Sequence, residues 1–138
     1  MKNDLFLIDS SVWVDVIEVG RGEEDLRNRV RDLIRLDRVV GTGMVRLEVL
    51  RGAASQSQWD EIEDTLSALR QLRVHESQWN EAARLSIQLR QRGVTVPSTD
   101  LLIASIAIGS DVVLLHRDRH FDMVAENSSL RVESHVNV

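Results

Sequence analysis

Cysteine is absent from the 138 residues of the chain, which excludes disulfide bridges and thiolate metal sites. No stretch reaches the ~18 uninterrupted apolar residues that a membrane-spanning helix needs, and no leader-like segment precedes Asp9. A net charge of −5 argues against a broad electrostatic surface for nucleic acid, although it leaves room for a local one. These absences predict a cytoplasmic protein with no membrane association.

The organisation of the chain is that of one domain over residues 1–138, because 43% of the residues are hydrophobic and no repeat or low-complexity linker interrupts them. Short β-like runs alternate with helical patterns, and this alternation predicts an α/β fold with a mainly parallel central sheet. The predicted strands are Leu5–Ile8, Arg38–Gly41, Leu72–Val74, Val112–Leu115 and, at an edge of the sheet, Leu130–Glu133.

Helical segments are predicted from apolar spacing and capping residues. Ser10 or Ser11 is expected to cap the first of them. Trp13, Trp59 and Trp79 lie on apolar stripes of such segments, so we expect packing in the core or an interface, with Trp59 facing inward. The segments run over Val12–Ile17, Leu26–Ile34, Gly43–Arg51, from after Ser55 to Leu69, from Ser77 to a stop at Gly93, over Leu101–Ile108 and over His120–Glu126.

Four carboxylates lie where a solvated acidic face is not expected. Asp9 follows the apolar run LFLI and Asp118 follows VVLL, and ligands of open parallel sheets bind beyond the carboxyl ends of strands. Glu48, in MVRLEVLRG, projects from a largely apolar helical face, and Asp100, in PSTDLLIAS, lies in the first turn of an apolar helix. Each also has a structural explanation: an Asx turn or cap, a loop turn, an ion pair of Glu48 with Arg51, or the helix dipole.

These four positions are more informative together, because two strand ends and two helix faces can converge on one edge of the sheet. Carboxylates a few ångströms apart repel by several kcal/mol per close pair at an effective dielectric constant of ~20, so such a cluster requires protons or a cation. Carboxylates and water are the ligands of Mg²⁺ and Mn²⁺, which commonly serve phosphate chemistry.

A family resemblance rests on four segments in order: LIDSSVW, VRLEVLRG, STDLLIASIA and LLHRDRHFD. Together they resemble the PIN-domain ribonucleases, in particular the VapC-type toxins of toxin–antitoxin pairs, over essentially the whole chain. The resemblance implies a three-layer α/β/α fold. It also implies a catalytic site that binds Mg²⁺, with Mn²⁺ as a substitute, through the four carboxylates Asp9, Glu48, Asp100 and Asp118.

Around these four acids the resemblance is less regular. Ser10 is a candidate hydroxyl helper near the phosphate, and Asp122 is a candidate for a supporting or solvated position. The sequence departs from the family pattern at His116, where Thr or Ser is common, and at His120, where an acidic residue is common. These departures leave the fourth corner of the site and any role of Asp122 open.

The implied activity is metal-assisted hydrolysis of RNA, with transfer RNA as the first guess and with products that carry 5′-phosphate and 3′-hydroxyl ends. Four arginines near the acids are candidate contacts to RNA phosphates, although for any one of them an ordinary surface ion pair is the better explanation. They are Arg46, Arg51, Arg117 and Arg119.

The implied partners are a second copy of the chain, in a homodimer, and a VapB-like antitoxin that covers the acidic site and forms a higher assembly. The segments 23–36 and 55–69, with Trp59, carry more apolar residues than one core face needs, which predicts a contact surface.

Two other functions stay open. One is a PIN-like regulatory binding module without catalysis, which the changes at His116 and His120 keep open, although the retention of all four acids counts against it. The other is a receiver-like phosphoacceptor domain with Asp9 as the acceptor. That alternative lacks a well-placed lysine after the last core strand and leaves Glu48 and Asp100 unexplained.

Overall fold

A five-stranded sheet lies at the centre of the computed structural model, which describes residues 3–17 and 23–137. All of its strand pairs are parallel. The spatial order is β3-β2-β1-β4-β5, so β1 lies in the middle of the sheet, with β2 and β3 on one side and β4 and β5 on the other. Strand β1 pairs directly with β4. The strands are β1 (Phe6–Ile8), β2 (Val39–Gly41), β3 (Arg70–Gln71), β4 (Val113–His116) and β5 (Val132–Ser134).

Helices cover both faces of this sheet. One group, α1 to α4, is joined by contacts of α1 with α2 and α3 and of α3 with α4, and a second group, α5 to α7, by contacts of α6 with α5 and α7. Because crossovers between parallel strands are right-handed, the two groups lie on opposite faces. The predicted three-layer α/β/α fold is confirmed. The helices are α1 (Ser10–Ile17), α2 (Glu24–Arg35), α3 (Gly43–Leu50), α4 (Gln56–Ser67), α5 (Glu76–Gln91), α6 (Ser98–Ser110) and α7 (Arg119–Glu126).

The core is built around β1, β4 and α6. Every residue of the two strands is buried, with Leu7 and Leu114 at 0% exposure. Burial of a side chain of this size stabilises a fold by about 2 kcal/mol. Helix α6 is buried from Asp100 to Ala107, as its apolar composition predicts. The ends of β1 and β4 are therefore held by a closely packed interior. No helix within residues 3–17 and 23–137 is long and apolar enough to cross a bilayer.

Local signals set the helix ends. Thr42 and Ser55 cap α3 and α4, because each hydroxyl accepts the N–H group of the residue three positions later. Helix α5 stops near the predicted Gly93, which has a φ of 78° that glycine adopts without steric cost.

Two predictions about the fold are wrong in detail. The third strand is Arg70–Gln71 rather than Leu72–Val74, because these two residues pair with β2 and Leu72 only donates its N–H group to the carbonyl of Gly41 at 2.8 Å. Both strand residues are exposed at the sheet edge, so no apolar pattern marks them. Trp59 does not face inward but is 42% exposed.

Candidate functional site

Asp9 lies directly after β1 and is only 3% exposed. Its N–H group donates to the carbonyl of Leu115 in β4 at 2.9 Å, which links the two strand ends. One carboxylate oxygen, Oδ2, accepts the N–H group and the hydroxyl of Ser11 at 3.0 and 2.6 Å. The predicted Asx turn is therefore present, and the cap of α1 is Asp9 rather than Ser10 or Ser11. This turn holds the carboxylate at the carboxyl end of the sheet.

Ser11 also connects Asp9 to the loop after β4, a role that the sequence analysis missed. Its Oγ accepts the N–H group of Arg117 at 3.0 Å. The Arg117 guanidinium extends away from Asp9, with Nη1 2.7 Å from Asp15 Oδ2 and Nη2 3.8 Å from Glu23 Oε1. Arg117 thus fastens the loop to the α1–α2 side of the molecule and is already paired with carboxylates.

Glu48 approaches from α3, where it is half-buried. The hydroxyl of Ser10 lies 3.4 Å from Glu48 Oε1, at hydrogen-bonding distance. Adjacent serines therefore serve different acids, Ser11 holding Asp9 and Ser10 contacting Glu48. Arg51 lies at the end of α3 and only weakly offsets the charge of Glu48.

Asp100 and Asp118 approach from the other helical layer, with His120 between them. Asp100 lies in the first turn of α6, and Asp118 is the N-cap of α7, where its Oδ1 accepts the N–H group of His120 at 2.9 Å. The imidazole Nδ1 of His120 lies 3.1 Å from Asp100 Oδ2 and 3.3 Å from Asp118 Oδ1. Each of these three side chains can place one ligand atom in a group that lies within 4.8 Å.

The charges of this region are not balanced. Burial raises the pKa of Asp9, Glu48 and Asp100, and repulsion from neighbouring carboxylates raises it further. For Asp100, burial and then the charges of Asp118 and Asp9 raise the pKa to about 6, although His120 acts in the opposite direction. We call these four acids with His120 the carboxyl-edge cluster. Its excess of negative charge favours a cation at this place.

His116 and Asp122 form a separate contact beneath the cluster. His116 is completely buried, and its Nδ1 accepts the N–H group of Asp118 at 3.1 Å, so the ring proton of the neutral imidazole is on Nε2. Nε2 lies 3.2 Å from Asp122 Oδ1, but the contact is too poorly aligned for a hydrogen bond. Burial lowers the pKa of His116, which agrees with a neutral ring.

Asp122 is occupied on its other side as well, because its Oδ2 accepts the hydroxyl of Ser134 in β5 at 3.1 Å. It contacts His116 and Ser134 and is not in the group of ligand atoms formed around Asp100. A buried histidine that receives the Asp118 N–H group takes a position where the family commonly has a hydroxyl residue.

The remaining candidate arginines lie in different surroundings. Arg51 and Arg119 are exposed, whereas Arg46 is half-buried and lines a small cavity with Trp13, Leu66 and other residues of the α4 side. Their contact with RNA stays a prediction.

The donors of the carboxyl-edge cluster fit a divalent metal ion. Carboxylate oxygens suit Mg²⁺ and Mn²⁺, and an imidazole nitrogen suits the later transition metals. The cluster offers both kinds, and the pKa values of its buried acids are raised in the absence of a cation.

Comparison with known proteins defines the class. The PIN-domain family model matches residues 6–127, and the chain belongs to the PIN-domain family. This membership excludes the receiver-like alternative. The chain is similar to ribonuclease VapC11 of Mycobacterium tuberculosis, with 29% identity over 134 residues that cover 94% of this chain and 98% of the relative. The resemblance to VapC-type proteins is thereby confirmed.

Two solved structures share the fold. One is VapBC2 from Rickettsia felis bound to a DNA fragment from its promoter, with a TM-score of 0.77, 20% identity and coverage of 94% of this chain and 98% of that one. The other is DNA-bound VapBC from Salmonella typhimurium, with a TM-score of 0.77, 20% identity and coverage of 94% and 97%.

Proposed function

We propose that the chain is a metal-dependent endoribonuclease toxin that hydrolyses phosphodiester bonds of RNA and is inhibited by a VapB-like antitoxin. The observation that carries the proposal is the convergence of Asp9, Glu48, Asp100 and Asp118 on the carboxyl ends of β1 and β4 in a PIN-domain chain. The similar protein from M. tuberculosis is named a ribonuclease, which supports RNA as the substrate.

The four acids are the proposed metal ligands, for Mg²⁺ or Mn²⁺. When bound, such an ion supplies Lewis-acid activation of water and stabilises negative charge on the phosphate. Asp9 enters this arrangement preoriented, because Ser11 and the start of α1 hold it. The hydroxyl of Ser10 contacts Glu48 Oε1 at 3.4 Å.

Asp118 and Asp100 complete the arrangement from α7 and α6. The N-cap bond, in which Asp118 Oδ1 accepts the N–H group of His120, fixes the orientation of the Asp118 carboxylate. Asp100 Oδ2 lies 3.1 Å from His120 Nδ1, and burial with the neighbouring carboxylates raises the pKa of Asp100 to about 6. A bound cation would lower the pKa of the reacting water, so that no separate lysine base would be needed.

RNA would cross this edge of the sheet, with its phosphates near the exposed Arg51 and Arg119. Arg46 and Arg117 are weaker candidates, because Arg46 is half-buried and Arg117 is paired with Asp15. Transfer RNA is the first substrate to test.

The proposed partners are an antitoxin and a second copy of the chain. The solved relatives are VapBC pairs, which supports a protein partner of the VapB kind. The predicted contact surface carries exposed apolar residues, with Ile34 at 40%, Leu36 at 64% and Trp59 at 42%. An apolar surface of this kind is typical of a protein interface.

A regulatory binding module without catalysis is the second candidate. The position of His120 Nδ1 between Asp100 and Asp118 favours it, because an imidazole where the family commonly has an acidic residue removes one negative charge from the site.

Incubation of the purified chain with transfer, ribosomal and messenger RNA, with Mg²⁺ or with EDTA, separates the two candidates. The nuclease cuts RNA only with the metal, leaves 5′-phosphate ends at defined sites and loses activity as Asp9→Asn. Asp64→Asn, an exposed acid of α4, is the control that keeps activity. Intact RNA in every metal condition would favour the binding module.

A further inference from the structure

His120, the second residue of α7, places its side chain between two carboxylates. Its backbone is fixed because its N–H group donates to Asp118 Oδ1 at 2.9 Å. Its ring is 40% exposed, yet Nδ1 lies 3.1 and 3.3 Å from oxygens of Asp100 and Asp118. One ring nitrogen therefore contacts two of the acids that the proposed function assigns to the metal.

These separations are also those of neighbouring ligands around one ion. Ions of this size bind oxygen and nitrogen at about 2.1 Å, so adjacent ligand atoms are about 3.0 Å apart in an octahedral site and about 3.4 Å apart in a tetrahedral one. The observed distances of 3.1 and 3.3 Å fall in that range. The imidazole Nδ1 is therefore spaced from each of the two carboxylate oxygens as one ligand of an ion is from the next.

The other histidines do not share this geometry. His116 is buried, with Nδ1 accepting the Asp118 N–H group and Nε2 beside Asp122. His135 pairs through Nε2 with Glu133 at 2.8 Å and is not in the group of potential ligand atoms. His75 is exposed at the start of α5. Among the four histidines, all within the portion of the chain that is described, only His120 joins the group of potential ligand atoms.

We propose that His120 is a metal ligand in this chain, so that the ion is bound by Asp100, Asp118 and the imidazole Nδ1, with Asp9 and Glu48 at the same edge. The proposal rests on the proposed function, because it concerns the same ion. An imidazole in place of an oxygen favours Mn²⁺, Co²⁺ and Zn²⁺ over Mg²⁺, because nitrogen suits later transition metals. The site would thus differ in metal preference from one built of carboxylates alone.

The direct test uses Mn²⁺ as the probe and electron spin echo spectroscopy as the readout, because a coordinated imidazole nitrogen modulates the echo of the ion. The purified chain is stripped with EDTA and loaded with Mn²⁺. We expect nitrogen coupling in the wild type and its loss in His120→Asp, which restores an acidic ligand. His135→Asn is the matched control and keeps the coupling, because His135 lies beside Glu133 instead.

A binding titration gives a second readout. We expect His120→Asp to reduce the ratio of Mn²⁺ to Mg²⁺ affinity by about tenfold, in line with the range of ligand-environment effects on metal sites. His120→Gln, which has no ligand charge and no imidazole, should lose Mn²⁺ affinity by at least about tenfold. Either variant serves if the other fails to fold.

The outcomes separate this inference from the function on which it rests. Mn²⁺ binding without nitrogen coupling, together with metal-dependent RNA cleavage, overturns the role of His120 and leaves the nuclease standing. An unchanged metal preference in both variants overturns it as well. No Mn²⁺ or Mg²⁺ binding by the wild type rejects the ligand and the nuclease together.

Discussion

The two ends of the paired strands β1 and β4 carry similar acids in different charge environments. At the amino ends, Asp4 precedes β1 and Asp111 precedes β4, and Arg131 lies 3.0 Å from an oxygen of the first and 3.1 Å from an oxygen of the second. The hydrogen bond with Asp4 raises the pKa of Arg131. We call Asp4, Asp111 and Arg131 the amino-edge cluster.

At the carboxyl ends, Asp9 and Asp118 follow the same two strands, but the guanidinium of the nearby Arg117 forms its ion pair with Asp15. Arg117 contacts Ser11 through its N–H group and turns its guanidinium to Asp15. Burial and repulsion from neighbouring carboxylates raise the pKa of Asp9 and raise that of Asp100 to about 6. Asp4 and Asp111 at the amino edge are paired with Arg131, whereas the acids at the carboxyl edge repel one another, and we propose that a cation neutralises them. Raised pKa values in a cluster of carboxylates are typical of functional sites.

The largest expected effect is on catalysis. Replacing Asp9 or Asp100 by Asn keeps the shape and removes a charged ligand, so we expect RNA cleavage to fall by at least about 100-fold. Expression of either variant without an antitoxin should no longer arrest growth. Asp111→Asn makes the same chemical change at the amino edge and should leave cleavage within about twofold, since its partner Arg131 also contacts Asp4. Equal losses at both edges would contradict the comparison.

Metal should stabilise the wild type through the carboxyl edge alone. At ten times its Kd, a ligand that binds only the folded state adds about 1.4 kcal/mol, which corresponds to a rise of roughly 5 °C in Tm for a chain of this size. Thermal melts in EDTA and in Mn²⁺ measure it. Arg131→Gln should lower Tm slightly and equally in both conditions. A wild-type Tm that is the same in EDTA and in Mn²⁺ would count against the cluster as a binding site.

The pH dependence of stability in EDTA follows from Asp100. Its pKa rises from 3.8 in the unfolded chain to about 6 in the folded one, so the folded state binds more protons between these values. Stability from this group is therefore present at low pH and is lost as the pH rises through that window. We expect the Tm of the wild type to fall relative to the Tm of Asp100→Asn as the pH rises from ~4 to ~6.5. A difference that stays constant over the window would show that Asp100 is not perturbed.

The smallest effect concerns the fourth ligand. In EDTA, Asp118→Asn should be as stable as the wild type or slightly more stable, with a free energy of unfolding higher by less than about 1 kcal/mol. The substitution removes one repelling charge, and Asn remains a good N-cap. In Mn²⁺ the difference in stability between the variant and the wild type should become smaller or change sign. Asp122→Asn is the control, since Asp122 contacts His116 and Ser134, and its shift should depend less on metal. A metal-dependent reversal for Asp122→Asn instead would assign the fourth ligand to Asp122.

The sequence was most informative where burial and chemistry coincide. The apolar runs of β1 and β4 and the apolar face of α6 predicted both the central strand pair and the acids that follow or begin these elements. The edge strand β3 was misplaced, because Arg70 and Gln71 are exposed and pair only through their backbones. Local hydrophobicity carries no information about such a pairing.

The site was predictable as a set of acids but not as a set of contacts. Ser11 was not singled out as the partner of Asp9, although an Asp followed two residues later by Ser is a sequence that permits an Asx turn. The position of His120 between Asp100 and Asp118 depends on the packing of α7 against α6, which no short motif encodes.

The most direct test of the account is the anomalous diffraction of Mn²⁺ in a crystal of the wild-type protein. We expect an ion at the carboxyl ends of β1 and β4, bound by oxygens of Asp100 and Asp118 with Asp9 and Glu48 facing it. An ion at the amino-edge cluster, or a carboxyl edge that stays without Mn²⁺ at millimolar concentration while the acids keep their positions, would contradict it.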